Sequence, residues 1–148
     1  MSVAIQPQER RQFNQNLVAE LQEERHQVWS LYCKVAEHKP FSCSPETQSL
    51  LTQFSQLLID YVSLGHFGIY ERLFSGGEEL RDGILTSAND IYSAFSETTE
   101  AVMSFNDKYD TDQQTLTVDK LEADLSILGE YLAKRIDLED KLCHLVLN

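Results

Sequence analysis

The sequence predicts an all-α protein: an up-and-down four-helix bundle of long helices, with a weaker or broken third helical segment. Three observations carry that expectation. Apolar residues return at three- and four-residue spacing through four long stretches. "KPFSCSP", "SGG" and "NDKYDTDQQTLT" separate those stretches. No alternating β-branched run bounded by tight turns reads as a strand.

The first helix runs from about Gln8 to Glu37, with Leu17, Leu21, Val28, Tyr32 and Val35 on one stripe. "KPFSCSP" ends it, because the residue before Pro40 is pushed out of the helical region. Ser44 followed by Pro45 is an N-cap with proline in the first helical position, and it starts the second helix. That helix carries Leu50, Phe54, Leu57, Leu58, Tyr61 and Val62, and it stops at "SGG" (75–77). The third, about Glu78 to Asp107, shows Ile84, Ile91, Phe95, Val102 and Phe105. Gly83 and the polar cluster at 86–89 weaken its first half, which reads as a frayed start or a separate helix. Thr117 is the expected cap of the fourth helix, with Asp119 and Glu122 in the first turn, where the helix dipole favours acids. Leu121, Leu125, Leu128, Leu132, Ile136, Leu142 and Val146 mark its buried stripe. Helices of about 25–30 residues are each ~40 Å long and, with short connections, fold back on one another.

Size and charge narrow the function. The 148 residues read as a single helical domain over 1–148, with residues 1–10 expected as a disordered start. No apolar run approaches the ~20 residues of a membrane span, and "MSVAIQPQERRQF" lacks the pattern of a secretory signal. Three cysteines without CxxC spacing suit reduced thiols, so a cytoplasmic location is expected. Net charge is −12, the wrong sign for direct nucleic-acid binding and the right sign for a basic protein partner. Residues 1–40 balance five acids with five bases, whereas 76–113 hold nine acids against Arg81 and Lys108. That asymmetry reads either as a solvated face or as an acidic docking face.

Charged residues fall on stripes that should be buried. Stepping from Leu128 through Leu132 leads to Arg135, Glu139 and Leu142, and Leu21, Arg25, Val28 and Tyr32 align on the first helix. The second helix contributes Asp60, Ser63 and His66 inside "DYVSLGHFGIYER" (60–72), together with Gly65 and Gly68. An unpaired charge among these helices would cost several kcal/mol. Two arrangements remain open: an internal network in which Arg25 or Arg135 pairs with Asp60 or Glu139, or a polar cleft opened by the glycines. The glycines admit a close backbone, either a neighbouring helix or a partner.

Chemistry finds little support. A di-iron bundle needs two Glu-x-x-His segments and two further glutamates, and only Glu23 to His26 has that spacing. A helical-bundle metal-binding protein or enzyme using Glu23, His26, His66 and Glu139 stands as an alternative. There is no GxSxG, no GxxxxGK[ST] and no GxGxxG. No cofactor is expected. A general acidic regulatory adaptor acting through 76–100 is a further alternative.

"LIDYVSLGHFGIYERL" (58–73) and "RIDLEDKLCHLVLN" (135–148) resemble the two most recognisable segments of the Rsd/AlgQ family of anti-sigma factors, the regulators of sigma D. Weaker agreement reaches the first helix at Arg25, Tyr32 and Lys39–Pro40, while "SGGEELRDGIL" departs from the family. The resemblance implies a four-helix bundle and a cytoplasmic, non-enzymatic function. It also implies a partner, the C-terminal, −35-reading domain of the housekeeping sigma factor. On this reading sigma is kept from core RNA polymerase and promoter DNA, and the protein is a monomer when sigma is bound. Asp60, in the family's "DY" pair, is the preferred contact, with Ser63, His66, Phe67, Tyr70, Glu71, Arg72 and Glu139 as further sigma-facing candidates. A −12 chain would attract a basic DNA-reading module. Affinity is expected from desolvated anchors such as Phe67, Tyr70 or Tyr61 beside Arg72.

Overall fold

The computed structural model describes residues 7–39, 41–42, 44–65, 68, 82–109 and 119–147. Among them are four helices and no strand: α1 (Pro7–Glu37), α2 (Pro45–Ser63), α3 (Asp82–Tyr109) and α4 (Leu121–Leu147). Each helix packs on the next, and α4 closes the ring on α1. Neighbours run antiparallel, as cross-helix pairs show. Tyr32 meets Phe54 between α1 and α2, Phe54 meets Phe105 between α2 and α3, Lys134 meets Glu97 between α3 and α4, and Lys39 meets Glu122 between α4 and α1. The architecture is therefore an up-and-down four-helix bundle. No helix among the described residues is long and apolar enough to cross a membrane.

Local chemistry explains most boundaries. Ser44 takes an extended conformation (φ −72°, ψ 153°) and its Oγ accepts the Thr47 N–H at 3.2 Å, with Pro45 opening the helix behind it. α1 begins at Pro7, so part of the start expected to be disordered is helical. α4 begins at Leu121, which makes Glu122 and Asp124 its first-turn acids. Asp119 lies in the turn before the helix, and Thr117 is outside the described residues. The third helix is where expectation and structure part. α3 runs 28 residues without a break, through Gly83 and the polar cluster at 86–89. Weak local propensity amounts to at most ~1 kcal/mol per residue, too little to break a long helix that packs on both α2 and α4.

The core has two unlike halves. Towards the α1–α2 connection it is aromatic: Tyr32 packs on Phe54 (6.1 Å between centroids), Phe54 edge-on to Phe105 (5.9 Å), and Phe105 on Tyr109 (4.7 Å). The Tyr32 hydroxyl donates to the Leu125 carbonyl at 2.7 Å. It can do so because Gly129 has no side chain, since a Cβ there would lie 2.5 Å from that hydroxyl. Towards the other end, the stripes of α2, α3 and α4 close around charged groups. There α2 loosens after Ser63 into a wider, π-type turn that includes Leu64, Gly65 and Gly68. The expected stop at 75–77 is outside the described residues. Cys33 is an exposed free thiol. Cys143 is a buried one, pushed up to about 11 by burial and by nearby Glu139.

Candidate functional site

Arg135 and Glu139 are almost wholly buried, at 0% and 1% exposure. The Arg135 guanidinium makes four hydrogen bonds among the described residues. Its Nε donates to Glu139 Oε2 (3.1 Å), and its Nη1 donates to the hydroxyls of Thr98 (3.0 Å) and Thr99 (2.8 Å). Its Nη2 points to the Val62 carbonyl at 3.4 Å, and its plane stands 4.0 Å from the centre of the Phe95 ring. The other Glu139 oxygen accepts a hydrogen bond from the Tyr61 hydroxyl and lies 3.7 Å from Arg25 Nη1. Arg25 in turn holds Asp140 at 2.9 Å. Burial pushes the Glu139 carboxyl above its ordinary range, against the pull of Arg135, the Tyr61 hydroxyl and Arg25. Burial and the neighbouring carboxylate likewise push the Tyr61 hydroxyl up.

Every helix contributes to this network: Arg25 from α1, Tyr61 and Val62 from α2, Thr98 and Thr99 from α3, Arg135 and Glu139 from α4. Gly65 makes room for it. A Cβ at that position would stand 2.9 Å from Arg135 Nη2 and 3.3 Å from Glu139 Oε2. Gly68 admits Leu17 of α1 instead, with a Cβ there 3.1 Å from the leucine methyl. The two glycines in "SLGHFG" thus let an ion pair and a neighbouring helix approach the backbone at the end of α2.

The structure brings together Arg25, Arg135 and Glu139, and it separates Asp60 from them. Asp60 is exposed, and the α2 residue that enters the network is its neighbour Tyr61, because adjacent helical side chains point about 100° apart. For the same reason Tyr61, 1% exposed, is no surface anchor. Glu139, at 1% exposure, is likewise no surface contact; its acceptor capacity is used inside the bundle. Ser63 is half-buried one turn beyond Asp60. His66, Phe67, Tyr70, Glu71 and Arg72 lie outside the described residues. Among the described residues no group of three or more His, Cys, Asp or Glu is placed to hold a metal ion. Glu23, of the alternative metal reading, accepts a hydrogen bond from Gln27 on its own helix.

Asp60 has company that the sequence pattern did not single out. Between α1 and α2, burial, Asp60 and Glu20 together raise the Glu24 carboxyl above its ordinary range. Glu24 Oε2 is buried without a hydrogen-bond partner among the described residues. Like charges gathered in this way cost the free protein stability and favour any cation that joins them. The signal was one residue away from the one that was read: Glu24 precedes inward-pointing Arg25, as Asp60 precedes inward-pointing Tyr61.

Residues 2–147 match the family described as "Regulator of RNA polymerase sigma(70) subunit, Rsd/AlgQ". A curated Regulator of sigma D from Yersinia enterocolitica is 32% identical over 123 residues, covering 80% of this chain and 72% of that protein. One from Salmonella paratyphi B is 38% identical over 104 residues, 67% of this chain and 60% of that protein. No solved structure matches the chain.

Proposed function

Because the chain belongs to the Rsd/AlgQ family of regulators of the RNA polymerase sigma(70) subunit, we propose that it regulates by stoichiometric contact, holding the C-terminal domain of the housekeeping sigma factor. Occupying that domain keeps sigma from core polymerase and from the −35 promoter element, with no bond made or broken. The reading draws its main support from the acidic cluster of Glu20, Glu24 and Asp60, in a chain of net charge −12. A DNA-reading module is basic, and its lysines and arginines would relieve the repulsion that these carboxylates carry when alone. Encounter would be fast and salt-sensitive, since charges are screened beyond ~10 Å at 0.1 M salt.

Calorimetric titration of the purified sigma C-terminal domain tests this. The expected result is a one-to-one complex that weakens as salt rises. Asp60→Ala should weaken it by more than ~1 kcal/mol without lowering the melting temperature, because Asp60 is exposed and its loss relieves repulsion on Glu24. No association at low salt, or equal affinity for the variant, would sink the assignment of this face.

A further inference from the structure

Lys39, Tyr32 and Arg25 stand about two helical turns apart, in line on one face of α1, and each crosses to α4. Lys39 reaches Glu122 at 3.0 Å, the Tyr32 hydroxyl reaches the Leu125 carbonyl at 2.7 Å, and Arg25 Nη1 reaches Asp140 at 2.9 Å. The first two serve the aromatic half of the core. Arg25 belongs to the charged half, where the same nitrogen also stands 3.7 Å from buried Glu139. The Arg25 side chain is only 18% exposed, so water competes weakly for this clamp.

The residue before the clamp sits where a carboxylate gains nothing. Glu24 Oε2 is buried without a hydrogen-bond partner among the described residues, and Asp60 of α2 and Glu20, one turn earlier, act on it with like charge. Rotating α1 so that Glu24 swings off α2 would relieve the repulsion and bring the carboxylate into water. The same rotation would carry Arg25 off Asp140 and Glu139, because the two side chains ride on one rigid helix. We propose that Arg25 is a positioning residue for sigma binding: by clamping α1 to α4 it holds Glu24 against Asp60 and so sets the spacing of the carboxylates that a cationic partner meets. This role rests on Asp60 being part of the sigma contact.

Arg25→Met removes the clamp, and Arg25→Lys keeps a cation for a contact that runs through one nitrogen. Both variants should fold, since Glu139 retains Arg135 and Tyr61, and Asp140, 58% exposed, is solvated without Arg25. The Glu24 carboxyl carbon resonance is followed through a pH titration of the free protein. Losing a nearby cation by charge alone moves a carboxyl midpoint up, so a positioning role has the opposite sign. Arg25→Met should lower the Glu24 midpoint towards the ordinary glutamate range, and Arg25→Lys should leave it at the parent's value. In calorimetric titration with the sigma C-terminal domain, Arg25→Met should weaken binding by about tenfold and Arg25→Lys by less than about threefold. Added to Asp60→Ala, Arg25→Met should cost less than about threefold, because the residue it acts through is gone. A Glu24 midpoint that rises or stays put in Arg25→Met overturns the proposal. So does an Arg25→Lys that fails to rescue, or an Arg25→Met that weakens sigma equally with and without Asp60. Failure of the parent to bind sigma overturns the sigma reading instead, and the Glu24 midpoint then still decides whether Arg25 holds the two carboxylates together.

Discussion

Replacing Glu139 by leucine isolates what the buried network contributes. The change strands the Arg135 guanidinium at 0% exposure, with hydroxyls and a carbonyl for company but no counter-charge. Breaking a buried pair on one side costs ~3–5 kcal/mol. The Tyr61 hydroxyl loses its acceptor too, worth a further ~1–3 kcal/mol. A total of at least ~4 kcal/mol is a large share of the 5–15 kcal/mol that typically holds a domain together. The triple change Tyr61→Phe, Arg135→Met, Glu139→Leu strands far less. Thr98 and Thr99 keep the Phe95 carbonyl as acceptor (2.6 and 3.3 Å), and Arg25 keeps Asp140. The triple variant should therefore return to within ~2 kcal/mol of the parent. Urea unfolding followed by circular dichroism, with the slope checked for constancy, measures both. If Glu139→Leu falls within ~1 kcal/mol of the parent, or if the three single losses simply add in the triple variant, the network is not the coupled unit described here.

Two further outcomes follow from individual contacts. Gly65→Ala should destabilise by ~1–2 kcal/mol despite alanine's higher helix propensity, because the new methyl lies 2.9 Å from Arg135 Nη2; in the triple-variant background the same change should cost less or stabilise, as urea midpoints will report. Asp124 is raised by burial but held below its ordinary range on balance by hydrogen bonds from Lys108 and the Tyr109 hydroxyl. A lowered carboxyl stabilises at pH above its unfolded value and loses that contribution as pH falls through its folded value. Asp124→Asn should thus cost ~1 kcal/mol at neutral pH, with the gap to the parent closing below about pH 4 in paired melts.

The helices and the inward charges were legible because both are matters of period. Leu21, Arg25 and Val28 share a stripe whatever the rest of the fold does, and so do Leu132, Arg135 and Glu139. The partners were not legible, since pairing across helices depends on rotation about each axis. That is why Asp60 could be read either as a network partner or as a sigma contact, and Tyr61 either as part of the apolar stripe or as an anchor; the bundle turns Asp60 out and Tyr61 in. Thr98 and Thr99 carry no signal in the sequence, although their hydroxyls are what solvate a guanidinium. Gly129 drew no notice because its reason, the Tyr32 hydroxyl, is 97 positions away in the sequence and less than one side chain away in space.

The inner network and the outer acids are joined by adjacency in the chain. Arg25 is tied to Glu139 and Asp140, and Tyr61 to Glu139, which fixes the rotation of α1 and α2 about their own axes. Glu24 and Asp60 are the residues next to Arg25 and Tyr61, so the same rotation brings them together between α1 and α2, where their charges meet. An apolar core could match the stability of the buried pair, but leucines tolerate several rotational settings and a hydrogen-bonded guanidinium tolerates few. The buried charges thus orient the two helices and hold the Glu24 and Asp60 carboxylates close enough to repel.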